Sequence, residues 1–87
     1  MANIKSAMKR AKVIQVRTKR NAAYRSQMKT AIRRFEAALK SGDLDKAREE
    51  LAKALRTIDR IETKGVIHKN TADRKKSRLT KAFNRAS

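Results

Sequence analysis

The chain contains no cysteine, no proline, only two glycines and only three aromatic residues, Tyr24, Phe35 and Phe83, in 87 positions. Each scarcity excludes something. Without cysteine there is neither a disulfide framework nor a thiolate metal site. Without proline, and with Gly42 and Gly65 as the sole glycine breaks, little interrupts helix propagation, so a few long helices are expected. The longest apolar runs are the three-residue stretches Ala22–Tyr24 and Ala37–Leu39. A membrane span needs about 20 apolar residues and a signal-peptide core at least about 7, which predicts a cytoplasmic chain with no membrane partner. Acid is scarce as well: 8 Asp and Glu face 25 Lys and Arg, a net charge of +17. Nothing within the chain can neutralise that excess, so its partner should be a polyanion.

A length of 87 residues permits one small domain. The two glycines divide it into three segments of distinct character, predicting helices over about 6–40, 43–63 and 68–86. In the first, Tyr24, Met28, Ala31/Ile32, Phe35 and Ala38/Leu39 recur at steps of three and four, the spacing of one helical face. Ile4, Ala7/Met8, Ala11 and Ile14 continue that spacing weakly among lysines and arginines. Ser41-Gly42 should end the helix, since glycine takes a left-handed C′ conformation without a Cβ penalty. Asp43 is a plausible N-cap for the second, whose stripe is Leu44, Ala47, Leu51, Ala54/Leu55, Ile58 and Ile61. Lys64-Gly65 closes it. The third opens with Val66 and Ile67, shows a candidate capping box at Asn70 and Asp73, and carries a thin stripe of Ala72, Leu79, Ala82 and Phe83.

At about 1.5 Å per residue the first helix is far longer than the other two. The fold class expected is therefore all-α, an antiparallel three-helix bundle in which the first helix joins the bundle from about Ala22 and overhangs before it. Every charged residue before Glu36 is basic, and after Lys64 only Asp73 is acidic. The second helix is nearly neutral and should be the packing partner of two basic ones. The 12 arginines favour phosphate contact, because the guanidinium fork matches phosphate oxygens bidentately. Charge runs of mixed sign usually only solvate helical faces, but a stretch this long without acid points to polyanion binding.

No catalytic constellation is present. His68 is the only histidine and has no nucleophile, base or ligand cluster beside it, so a place at a helix start or against a phosphate or base suits it better. Glu49 and Glu50 project about 100° apart and do not converge. Two isolated glycines make no phosphate loop. The three aromatics fall in apolar stripes and should be core, leaving no stacking platform for bases. A DNA-compacting protein would share the charge, but such proteins commonly use minor-groove arms or apolar wedges, neither of which is evident. A membrane-active helix needs Trp, Phe or Leu on its apolar face, and residues 1–20 have none.

Three clusters carry a resemblance. Ala2-Asn3-Ile4-Lys5-Ser6-Ala7 with Lys9-Arg10, the stretch from Arg20-Asn21 through Arg25-Ser26 to Lys29-Thr30, and Lys64-Gly65-Val66-Ile67-His68-Lys69-Asn70 through Arg74, Lys76, Ser77, Arg78 and Leu79 resemble the S-twenty family of bacterial small-subunit ribosomal proteins. The likeness spans essentially the whole chain, and the Lys-Gly-x-Ile-His-Lys-Asn run is its most specific part. It implies a three-helix bundle with a long first helix, bound directly to small-subunit ribosomal RNA and stabilising several RNA helices early in assembly. It implies RNA-facing roles for Lys5, Lys9, Arg10, Arg20, Asn21, Arg25, Lys29, His68, Lys69, Asn70, Arg74, Lys76 and Arg78. Lys12, Arg17, Lys64 and Lys75 join them from the same acid-poor stretches. Met8, where many relatives have lysine, and Asp73, where a small residue is usual, depart from the pattern. The expected partners are small-subunit ribosomal RNA and neighbouring ribosomal proteins, with no homo-oligomer, small-molecule substrate, metal or cofactor.

Overall fold

The computed structural model describes the backbone of residues 2–87 and side-chain surroundings from Ser6 onward. It consists of three α-helices, α1 over Ala2–Ser41, α2 over Leu44–Thr63 and α3 over Lys69–Ala86. They form the expected antiparallel bundle with an elongated first helix.

Local chemistry sets each boundary. Gly42 sits at φ 83°, and its N–H donates to Leu39 O at 3.2 Å, while the Ser41 hydroxyl donates to Ala38 O at 2.8 Å. These bonds satisfy carbonyls that the end of α1 would leave unpaired. Asp43 then caps α2, its carboxylate accepting from the Lys46 N–H at 3.1 Å. At the far end the Val66 N–H reaches Ile61 O at 3.2 Å and the Gly65 N–H reaches Glu62 O at 2.8 Å. This is the Schellman arrangement, with Gly65 at φ 77° and its apolar partners Val66 and Ile61 both buried.

One expected cap is corrected. The cap of α3 is His68, not Asn70: the His68 Nδ1 accepts from the Asn70 N–H at 3.1 Å. Asn70 and Asp73 both lie inside the helix, so they form no capping box. The imidazole nitrogen substitutes for the carboxamide two residues earlier because His68 holds the extended backbone (φ −75°, ψ 150°) that an N-cap requires.

The core is small. Met28, Phe35 and Ala38 of α1 meet Ala47, Leu51, Ala54, Ile58 and Ile61 of α2, joined by Val66, Ala72 and Leu79. Alanines at four of these positions let backbones approach closely. Phe35 is completely buried, and Tyr24 and Phe83 pack partly buried against the same cluster, so all three aromatics serve the core as expected. Leu44 departs from its stripe and stays 37% exposed at the first position of α2. The helices do not close into a compact triangle: α2 lies in the middle, with α1 and α3 packed chiefly on it and scarcely on each other. The Cα envelope measures 64 × 21 × 13 Å, a flat blade whose length is that of α1.

Candidate nucleic-acid interface

The overhang supplies the first part of the site. Every residue from Ser6 to Arg20 is exposed, including Met8, Val13, Ile14 and Val16. From Ser6 onward the weak apolar stripe of this half therefore packs against nothing among the described residues. At 100° per residue, Lys9, Arg10, Arg17 and Arg20 fall within a sector of about 100°, and Lys12 extends it by about 60° on the Lys9 side. Lys9, Arg10 and Arg17 share one shallow depression with Val13 and Ile14. Lys5 lies in α1, its side chain outside the described residues.

The second part lies where the overhang meets the bundle. A hollow of about 360 Å³ is lined by Arg25, Met28 and Lys29 of α1, Val66, Ile67 and His68 of the turn, and Thr71 and Lys75 of α3. Its floor is apolar, Met28 and Val66 being buried, and Arg25, Lys29, His68 and Lys75 supply its polar surroundings. The Schellman turn and the His68 cap put these segments, distant in sequence, in one place. Because the His68 Nδ1 accepts a hydrogen bond, the ring N–H is on Nε2, where it can donate to an anion. Lys64, Lys69, Asn70 and Arg74 stand exposed around the same turn, and Asn21 is half-buried on α1 just above it.

Two of the expected residues are placed differently. Arg78 belongs to another hollow, with Lys81, Asn84 and Arg85, near the C-terminal end of α3. Lys76 is engaged in a surface pair within the chain, its ammonium donating to Asp59 of α2 at 2.7 Å and lying 3.8 Å from Asp73. The hydrogen bond to Asp59 is the main reason its pKa is raised above the ordinary lysine value. Partial desolvation opposes that rise, and the charges of Asp59, Asp73 and Glu62 add to it. Lys76 thus ties α3 to α2.

Sequence reasoning passed over Arg34, Lys53, Arg56 and Arg60, which the structure gathers on an open groove between α1 and α2. The signal was present: Lys53, Arg56 and Arg60 are spaced i, i+3, i+7, one flank of a helix. The near-neutral total charge of α2 concealed it, because the acids Asp59 and Glu62 lie on the opposite flank.

Among the described residues no group of acids and histidine could hold a metal ion, and no helix is long and apolar enough to cross a membrane. The arrangement offers instead guanidinium, ammonium and imidazole donors along an elongated rod, a chemistry suited to phosphate oxygens. The family model described as Ribosomal protein S20 matches residues 2–84. The chain belongs to the ribosomal protein S20 family. The small ribosomal subunit protein bS20 of Heliobacterium modesticaldum is 59% identical over 86 residues, covering 99% of this chain and 98% of that protein. The bS20 of Pelotomaculum thermopropionicum is 59% identical over 98% of this chain and 97% of its own. That of Carboxydothermus hydrogenoformans is 60% identical over 97% and 90%. An S20-family chain is a structural ribosomal protein and not an enzyme.

Proposed function

We propose that the protein is a structural constituent of the small ribosomal subunit in the cytoplasm that binds small-subunit ribosomal RNA directly and stabilises its folded helices during assembly. The observation that carries this reading is the convergence of Arg25, Lys29, His68 and Lys75 around one hollow at the foot of an exposed basic helix. RNA helices brought together repel through their phosphates. A rod of fixed cations placed between them offsets that repulsion and releases condensed counterions. Double-stranded RNA displays shape, phosphates and ribose hydroxyls more readily than base edges, so recognition rests on the shape of a junction matched by a rigid blade. Neighbouring ribosomal proteins are further partners. Copies of a chain charged +17 repel one another, which favours a monomer that joins RNA singly.

The test is binding to small-subunit ribosomal RNA, to unrelated RNA and to duplex DNA of equal length across a salt series. All three lose affinity as salt rises. The expected result is an advantage for the cognate RNA that persists at high salt. Equal binding to all three, collapsing together, overturns the assignment.

A further inference from the structure

The groove between α1 and α2 holds about 760 Å³. It lies on the other flank of α1 from the hollow around His68: taking Arg25 as reference, Lys29 falls about 40° away, whereas Gln27, Thr30 and Arg34 fall about 140° to 200° away. The buried residues Met28, Phe35 and Ala38 run between these two flanks. Arg34 comes from α1, and Lys53, Arg56 and Arg60 come from α2.

The electrostatics of this groove differ from those of the α2–α3 side. There Asp59 neutralises Lys76 at 2.7 Å. Here the Arg60 Nη2 donates to the neutral Gln27 Oε1 at 3.0 Å, which orients the guanidinium across the groove without reducing its charge. The one acid lining the groove, Glu50, has a side chain only 14% exposed and lies 3.7 Å from Lys53. Four bases less one acid leave a net +3 on the groove, with the Thr30 and Thr57 hydroxyls beside them. Guanidinium forks without carboxylate partners, that of Arg60 oriented by Gln27, interspersed with hydroxyls, match a run of phosphate oxygens.

We propose that this groove is a second RNA-backbone site, with Arg34, Arg56 and Arg60 as its phosphate ligands and Gln27 as the residue that positions Arg60. The blade is then held between two RNA segments, one on each flank of α1. This inference rests on the functional reading above and adds to it a site and residues that the charge of α2 as a whole conceals.

The experiment uses the full chain and small-subunit ribosomal RNA, with backbone footprinting of the wild type, of Arg56→Gln/Arg60→Gln and of Arg25→Gln/Lys29→Gln. The groove variant should lose protection of one RNA segment while keeping the other, and the second variant should do the reverse. Each should weaken binding on the order of tenfold and lower the salt slope by roughly one for each phosphate left without its cation. Because the chain has no cysteine, Ser26→Cys and Asn70→Cys each give a unique attachment point for a photo-crosslinker, without touching the arginines. The two should label different RNA segments. Unchanged protections and slope in the groove variant, or crosslinks from Ser26→Cys that coincide with those from Asn70→Cys or are absent, overturn the second site alone. A wild-type protein that protects no nucleotide overturns both readings.

Discussion

His68 performs two tasks with its two ring nitrogens. Nδ1 accepts from the Asn70 N–H and starts α3, while Nε2 carries the donor beside Arg25, Lys29 and Lys75. These tasks separate by substitution. His68→Ala should destabilise the protein by about 1 kcal/mol through loss of the cap, and His68→Asn, whose carboxamide is a good cap, should recover most of that. Thermal melting reads the first effect; only RNA affinity, lowered in both variants, reads the second. Lys76 is the residue whose contribution depends on pH. Its raised pKa means that the folded state holds the proton more tightly than the unfolded chain. The stabilisation is therefore complete below the unfolded lysine value of about 10.4 and is lost as pH rises through the higher folded value. The difference in melting temperature between wild type and Lys76→Met should stay constant from pH 6 to 9 and shrink above that window. A difference that disappears already at pH 8 contradicts this account of the Asp59 pair.

At the scale of the element, α1 is two helices in one. From about Tyr24 its apolar stripe is buried on α2, and before that every described side chain is exposed apart from the half-buried Asn21. Helices without tertiary packing are marginal at such lengths, and like charges three and four apart, as at Lys9 with Lys12 and Arg17 with Arg20, weaken them further. Amide hydrogen exchange should therefore be fast over residues 6–20 and slow over 28–38 in the free protein, and RNA should slow the first group. Strong protection of the overhang without RNA would contradict it. Removal of residues 2–20 should leave the bundle folded, with a melting temperature no lower than that of the full chain, while lowering RNA affinity, since residues 6–20 add nothing to the core and carry only repelling charge.

For the whole molecule, net charge and shape act together. A charge of +17 on a blade 13 Å thick repels itself across its short dimensions, against a core of 11 buried apolar residues, four of them alanine. Added salt screens that repulsion, the Debye length falling from about 30 Å at 0.01 M to about 10 Å at 0.1 M. The melting temperature should rise with salt over that range, opposite in sign to the effect of salt on RNA binding. A bundle indifferent to salt would contradict this account of its self-repulsion.

Much of this protein is determined by sequence alone, because its determinants are local. Glycine needs no neighbour to tolerate φ 77–83°, three- and four-residue spacing marks a helical face by itself, and the lack of acid before Glu36 is visible without coordinates. The three helices, the overhang, the core aromatics and the basic residues around the α2–α3 turn were legible for that reason. The likeness of the Lys-Gly-x-Ile-His-Lys-Asn run to a known family added the ribosomal setting. Tertiary structure decided what depends on pairs. It made His68 rather than Asn70 the cap, because a cap depends on which side chain reaches a particular N–H. It engaged Lys76 with Asp59, which lies on another helix. It also divided α2, neutral in sum, into a flank that neutralises α3 and a flank that adds three cations to a groove of α1. A total charge is a scalar that sequence supplies, but which charges face one another is a vector property that only the packing of helices fixes.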